Sequence, residues 1–130
     1  MAYNFLIVDD SEIIRSVVKK TLKLTELEVG ELFEGSNGKE ALEILEQHWI
    51  DLVFLDINMP VMNGLEMLRI LKEKDDMKVP VIIISTEGSE KRLEELRELG
   101  IKGYLRKPFV PEKMRDLLME LLHGKGDDPS

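Results

Sequence analysis

The sequence of 130 residues predicts a single α/β domain in which the strands of one parallel sheet alternate with helices. Nearly continuous apolar runs rich in β-branched residues, typical of strands buried on both faces, occupy residues 5–8, 52–55 and 81–84. Between them, apolar residues recur at helical spacing, as from Ile14 to Leu22. Alternation of strands and helices favours a parallel sheet.

The middle of the chain carries start signals for two helices. Asn37 with Glu40, and Asn63 with Glu66, can each form a capping box in which the asparagine and the glutamate bond each other's backbone N–H groups. A weaker strand at residues 29–34 precedes the first of these helices. These signals place one helix on each side of the second apolar run.

The last third of the chain completes five strand–helix units. Residues 89–99 form an amphipathic helix that Gly100 ends, and a weak strand follows at residues 102–105. Pro111 suits the first turn of a final helix. The apolar face of that helix consists of Met114, Leu117, Leu118 and Leu121.

Composition excludes several classes of protein. With no cysteine, neither disulfides nor thiolate metal sites hold the fold. A formal net charge of −8 argues against unaided binding to nucleic acid or to anionic lipid. The N-terminus has neither a basic segment nor a long apolar one, so we expect a cytoplasmic protein without signal peptide or membrane span. We expect residues 1–123 to form the domain and residues 124–130 a disordered tail, which leaves no room for an output domain.

Polar side chains follow four of the predicted strands. They lie at residues 9–11, at Asp56, at residues 85–87 and at residues 106–108. Ligands of open parallel sheets bind outside the carboxyl ends of the strands, where the loops after the strands converge. The sequence therefore predicts one polar site at this edge of the sheet.

The acidic residues at this edge predict a metal site. Three carboxylates in one place repel one another unless a cation offsets the repulsion. An oxygen-only ligand set indicates Mg²⁺, with Asp10 and Asp56 as direct ligands and Asp9 acting through water, although Mn²⁺ could substitute. A carboxylate beside a metal and a lysine can attack a phosphoryl group. Asp56 is then the nucleophile, and Lys107 and Ser85 share the charge of the transferred group.

The motifs around these residues resemble those of bacterial receiver domains of two-component response regulators. The resemblance covers residues from about 5 to 122. It rests on residues 6–11 (LIVDDS), residues 56–64 (DINMPVMNG), Ser85 at the end of an apolar strand, and residues 107–109 (KPF). The chain is similar throughout to the single-domain chemotaxis regulators of that family.

The resemblance implies a flavodoxin-like (βα)₅ fold with strand order 2-1-3-4-5. It further implies that a histidine kinase donates a phosphoryl group to Asp56, and that Asp10, Asp56 and the backbone carbonyl of Asn58 bind Mg²⁺ with support from Asp9. Lys107 would engage the phosphate. The Lys107–Pro108 bond is often cis in such domains.

The moving parts are also implied by the resemblance. Ser85 would contact the phosphate and shift on phosphorylation, and Tyr104 would swing inward behind it. An effector protein would bind the surface formed by the last helices and strand. Asn58 and Glu87 flank the expected path of a hydrolytic water and would tune the lifetime of the phosphate. The expected role is a phosphoryl acceptor with at most intrinsic autophosphorylation and autodephosphorylation, and not an enzyme.

Other functions fit the sequence less well than a receiver domain does. An aspartate-nucleophile phosphatase also uses carboxylates and Mg²⁺, but such an enzyme requires a second acidic residue at the position that Asn58 occupies here. The chain is also too short to include a cap over a substrate pocket. A flavin carrier needs a glycine-rich or hydroxyl-rich phosphate loop where residues 9–11 bring acids. A calcium loop starting at Asp56 fails because Pro60 holds its fifth position and no glutamate its twelfth. Within the receiver class, a phosphorelay outside chemotaxis or a receiver excised from a larger regulator remains an alternative.

Overall fold

A computed structural model of the protein describes residues 2–74, 79–86 and 89–124, with the backbone alone at residues 123 and 124. Five strands alternate with five helices along these residues. The strands are β1 (Tyr3–Val8), β2 (Val29–Gly35), β3 (Leu52–Leu55), β4 (Val81–Ser85) and β5 (Gly103–Arg106). The helices are α1 (Glu12–Lys23), α2 (Gly38–Gln47), α3 (Gly64–Glu73), α4 (Glu90–Glu98) and α5 (Pro111–Leu118).

The five strands form one parallel sheet in the order β2-β1-β3-β4-β5, which confirms the implied fold. Leu6 pairs with Val53, so β1 and β3 are neighbours although β2 lies between them in the chain. The chain thus winds outward in both directions from the pair β1 and β3. A crevice opens where the direction of winding changes, at the carboxyl ends of these two strands.

Helices cover both faces of the sheet, and each face has its own core. The strand side chains alternate between the two cores, so that Leu6 and Leu55 pack under α2, α3 and α4 whereas Phe5 and Phe54 pack under α1 and α5. The rings of Phe5 and Phe54 stack with their centroids 5.9 Å apart. The central strands are buried on both faces, as their continuous apolar runs predict.

The capping box predicted at α3 is confirmed, and the one predicted at α2 is wrong in half of its bonds. At α3, Asn63 Oδ1 accepts from Glu66 N–H at 2.9 Å and Glu66 Oε1 accepts from Asn63 N–H at 2.9 Å. At α2 the Asn37 side chain does accept from Glu40 N–H. The Glu40 carboxylate instead accepts the N–H and the hydroxyl of Ser36, both at 2.8 Å, because these two donors lie within its reach.

The ends of the last two helices largely follow the sequence. Gly100 has φ 94°, a conformation that favours glycine, and the N–H of Ile101 donates to the Leu96 carbonyl to close α4. Pro111 occupies the first turn of α5. The predicted helix through Leu121 changes geometry after Leu118, where π-helical turns run over Met119–Gly124. The predicted tail lies outside the described residues from residue 125 onward.

None of the helices in the described ranges is both long enough and apolar enough to span a membrane.

Gly64 fixes the start of α3 against the end of β3. A Cβ atom on Gly64 would collide with the backbone carbonyl of Asp56 and lie 3.1 Å from Ile57 Cα. A backbone neighbour cannot move aside as a flexible side chain does. The absence of a side chain therefore lets the helix approach the strand that carries Asp56.

We expect Gly64→Ala to lower the free energy of unfolding by about 2 kcal/mol, because the added methyl overpacks a rigid backbone contact. Gly35→Ala is the matched control, since its Cβ would make an ordinary contact of 3.4 Å with the Ala41 nitrogen. Urea denaturation of both variants measures the difference. Equal losses in the two variants would contradict this account of Gly64.

Candidate functional site

Three aspartates meet at the carboxyl edge of the sheet, as the sequence predicts. Asp9 and Asp10 directly follow β1, and Asp56 follows the neighbouring strand β3. Each offers a carboxylate oxygen, and these oxygens all lie within 4.8 Å of one another. Asp9 and Asp56 are 3% and 7% exposed, whereas Asp10 is exposed. Two of the carboxylates have thus lost most of their solvation while facing like charge.

Lys107 brings a positive charge to the cluster from the end of β5. Its Nζ lies 3.1 Å from Asp9 Oδ2 and 4.0 Å from Asp56 Oδ1, so the ammonium is closer to Asp9. The Lys107 N–H donates to the Ser85 carbonyl at 2.9 Å, which ties the lysine to the end of β4. The Lys107–Pro108 peptide bond is cis, as the resemblance implies.

Burial, and after it the negative charge of Asp9, raise the pKa of Asp56 from 3.8 to about 6. The ammonium of Lys107 and the N–H groups of Ile57 and Asn58 act on this pKa in the opposite direction, because they stabilise the carboxylate. Desolvation and like charge prevail. One lysine does not balance three carboxylates, and the site favours a further cation.

The donor set fits Mg²⁺. All three side chains offer carboxylate oxygens, and neither thiolate nor imidazole belongs to the cluster. Mg²⁺ takes one or two carboxylates and keeps several waters, which suits one exposed and two buried aspartates. The Asn58 backbone, implied as a further ligand, lies beside the Asp56 carboxylate through its N–H bond, and the Asn58 side chain is exposed.

Ser85 and Tyr104 lie on the neighbouring strands β4 and β5. Ser85 is 1% exposed and ends β4, the strand beside β3. Tyr104 pairs with Ile83 across the sheet, its ring packs against the core under α4, and its hydroxyl oxygen is buried. The hydroxyl end of the tyrosine therefore lies away from solvent. Glu87, expected to tune phosphate lifetime, lies outside the described residues.

The loop between β3 and α3 holds a backbone feature that the sequence did not single out. Met62 N–H donates to the Pro60 carbonyl at 2.7 Å, which closes a tight turn around Val61. Val61 has φ 66° and is 77% exposed. Positive φ is strained for a β-branched residue. No sequence signal predicts it, because valine is among the residues that avoid this conformation.

Arg15 is a second residue that the sequence did not single out. Its Nη1 donates to the backbone carbonyl of Asp9 at 2.6 Å, so it touches the main chain of the acidic cluster. The helical periodicity places Arg15 on α1 but gives no sign of this contact, since the arginine reaches back over the N-terminus of its own helix.

Comparison with known families identifies the class. Residues 5–119 match the family model described as the response regulator receiver domain. This match spans most of the chain, and the matched residues carry the acidic cluster, Ser85 and Lys107. The protein belongs to the response regulator receiver domain family, the class of domain used in two-component signalling.

Individual relatives point to chemotaxis proteins. The chain is 34% identical over 125 residues to a chemotaxis protein CheY homolog of Campylobacter jejuni, covering 94% of this chain and 95% of the relative. It is 34% identical to chemotaxis protein CheY of Halobacterium salinarum, covering 94% and 98%. The structure of Vibrio cholerae CheY4 superposes with a TM-score of 0.81 at 32% identity, covering 94% of this chain and all of CheY4.

A relative of another kind is longer than this chain. The chain is 31% identical to the probable transcriptional regulator ycf29 of Porphyra purpurea and spans 58% of its length. Similar receivers therefore occur both alone and within larger regulators.

The raised pKa of Asp56 makes a prediction about stability. A carboxyl group whose pKa is higher in the folded protein makes its full contribution to stability below the unfolded pKa of 3.8. That contribution is lost as the pH rises through the folded pKa of about 6. Without metal, Asp56→Asn should therefore raise the free energy of unfolding at pH 7.5 by roughly 1 to 2 kcal/mol. This is less than the full pKa shift corresponds to, because water still screens part of the charge on Asp56. The gain should vanish below about pH 4.

Urea denaturation across this pH range measures the effect, with Asp116→Asn as control because that side chain is 73% exposed. A gain that is equal at pH 4 and pH 7.5, or equal in the two variants, would contradict the assigned cause.

Proposed function

We propose that Asp56 accepts a phosphoryl group and that its phosphorylation changes the surface shown to a partner protein. The observation that carries this proposal is the geometry of Asp56: a buried carboxylate at the end of the central strand, within 4.8 Å of two further acidic groups and 4.0 Å from an ammonium. Membership of the receiver family supports the same role. On this proposal residues 1–123 form the receiver domain.

The proposed step is a phosphoryl transfer. A carboxylate oxygen of Asp56 forms a bond to phosphorus while the bond from phosphorus to the donor atom breaks. The donor atom, a histidine nitrogen of a kinase or the leaving oxygen of a small phosphodonor, keeps the electron pair and takes a proton from solvent. The product is an aspartyl phosphate on Asp56, and attack by water later releases inorganic phosphate.

The residues of the chain position and neutralise the transferred group. Asp10, Asp56 and the Asn58 carbonyl would hold Mg²⁺ with support from Asp9, and bound Mg²⁺ supplies positive charge to the phosphoryl oxygens. Lys107 stands where its ammonium can leave Asp9 and pair with phosphate, because its Nζ lies between the two aspartates. The Ser85 hydroxyl would bond a third phosphate oxygen.

The change would pass from the phosphate to the surface through β4 and β5. A shift of Ser85 toward the phosphate alters the end of β4, and Tyr104, packed against the core under α4, would follow. The effector would bind the face formed by α4, β5 and α5. A conformer that the effector binds more tightly gains population when phosphate stabilises it. Asn58 and Glu87 would set how long the phosphate lasts.

The domain is proposed to act as a substrate of a histidine kinase in the cytoplasm. Its own chemistry would be limited to autophosphorylation from small donors and autodephosphorylation. Chemotaxis is the proposed pathway because proteins named for chemotaxis align with nearly the whole chain. A receiver in another phosphorelay, or one taken from a larger regulator, is the alternative supported by the likeness to ycf29.

Incubation with Mg²⁺ and a small phosphodonor should add one phosphate to the protein, as intact-mass measurement will show. Asp56→Asn should take up none, and chelation of Mg²⁺ should abolish uptake. Lys107→Ala should slow phosphate uptake by about tenfold or more, because the variant lacks the ammonium group that would stabilise the negative charge of the phosphoryl group in the transition state. The control is Asp51→Asn, whose carboxylate accepts from Trp49 and Asn4 at the opposite end of the sheet.

Uptake by Asp56→Asn at the unaltered rate would refute the proposal. Multiple turnover of a phosphate ester would instead favour the phosphatase alternative. To separate the pathways, binding of a flagellar-switch peptide should tighten on phosphorylation, and an unchanged affinity would favour a role outside chemotaxis.

A further inference from the structure

Arg15 connects the β2 edge of the sheet to the acidic cluster. Its Nε donates to Glu34 Oε1 at 2.8 Å, and its Nη1 donates to the Asp9 carbonyl at 2.6 Å. Lys19 Nζ holds the second carboxylate oxygen of Glu34 at 2.8 Å. The Arg15 side chain is 15% exposed. The guanidinium is therefore fixed on one side by a paired carboxylate and on the other by the main chain of Asp9.

The carbonyl that Arg15 contacts belongs to the peptide bond between Asp9 and Asp10. The other groups of Asp9 are already bonded: its N–H donates to the Gly35 carbonyl at 3.0 Å, and its carboxylate accepts from Ser11 N–H at 2.9 Å and pairs with Lys107. The contact from Arg15 adds the bond that fixes the plane of this peptide.

Asp10 depends on that plane more than Asp9 does. Within the described part of the chain, no hydrogen bond or ion pair holds the Asp10 carboxylate. The direction in which its side chain leaves the backbone is consequently set by the orientation of the peptide that precedes it. Without that constraint, ordering the carboxylate would cost additional conformational entropy when a cation binds.

We propose that Arg15 is a positioning residue for cation binding, which orients the Asp9–Asp10 peptide so that the Asp10 carboxylate meets the ion together with Asp56. This inference rests on the proposed function, since it takes the acidic cluster to be the Mg²⁺ site. Substitution of residues that orient metal ligands commonly weakens metal binding by roughly 10- to 100-fold. Glu34 and Lys19 serve to hold Arg15 in place.

Electrostatics alone predicts the opposite sign. Arg15 is a positive charge next to a site for a dication, so its removal should tighten Mg²⁺ binding if charge were all that mattered. Positioning predicts weaker binding. The sign of the change thus separates the two effects, and it does so without reference to activity.

The test is calorimetric titration of the full chain with Mg²⁺ alone. Arg15→Gln should bind Mg²⁺ about tenfold more weakly than the unchanged protein, at the lower end of the effect typical of residues that orient metal ligands. Lys19→Gln is the matched control, because it removes one positive charge from the same glutamate but no bond to Asp9. The control should keep its affinity within about twofold or bind slightly more tightly.

Arg15→Lys keeps the charge but offers no planar fork to bond Glu34 and the Asp9 carbonyl together, so its affinity should lie between those of the unchanged protein and Arg15→Gln. This variant also serves if Arg15→Gln fails to fold, as judged by urea denaturation without Mg²⁺. A second readout is phosphate uptake from a small donor: saturating Mg²⁺ should restore the rate of Arg15→Gln toward that of the unchanged protein.

Unchanged or tighter Mg²⁺ binding by Arg15→Gln overturns the inference and leaves the proposed function standing. Equal weakening in Lys19→Gln also overturns it, because the loss would then not depend on the bond to Asp9. Failure of the unchanged protein to bind Mg²⁺ contradicts the proposed function and this inference together.

Discussion

Repulsion among three carboxylates at one edge of the sheet is the constraint on which the rest of the site depends. Two of these carboxylates, those of Asp9 and Asp56, are buried, and the ammonium of Lys107 lies beside both of them. Burial, and after it the negative charge of Asp9, raises the pKa of Asp56 despite this ammonium. Such a cluster is poised to take up positive charge, and a phosphoryl group bound there brings oxygens that a cation and Lys107 can share. On the proposed function, affinity for the cation and reactivity toward a phosphoryl group would have one electrostatic origin.

The fold maintains this unfavourable arrangement by fixing the backbone around it. Parallel pairing of β1 with β3 places Asp9 beside Asp56, and burial of both strands on two faces leaves little freedom to move apart. Gly64 allows α3 to approach the Asp56 carbonyl, and the strained turn at Val61 shapes the loop between them. Arg15 holds the Asp9 carbonyl from outside. The packing energy of the two cores offsets the repulsion that the site concentrates at one edge.

Much of this could be predicted from the sequence because the relevant signals are local. Apolar runs mark the buried strands, and the residues just after them must lie at the carboxyl edge of a parallel sheet, so Asp9, Asp10, Asp56 and Lys107 are expected to meet there. Features decided by competition between nearby partners were not predictable. The Glu40 carboxylate could accept a hydrogen bond from the backbone N–H of either Asn37 or Ser36, and in the structure it accepts from Ser36. Arg15 could point to solvent or back to Asp9, and no pattern in the sequence indicates that choice. The positive φ of Val61 runs against the preference of valine itself.

The charge on Asp56 offers the most direct measurement. In ¹³C NMR titration of the aspartate carboxyl groups without metal, the resonance of Asp56 should report a pKa of about 6, because burial and Asp9 disfavour its ionised form. Addition of Mg²⁺ should lower that pKa, since the cation stabilises the carboxylate it contacts. An Asp56 pKa near 3.8 without metal, unmoved by Mg²⁺, would contradict the claim that burial and carboxylate repulsion together prepare this site for a cation and a phosphoryl group.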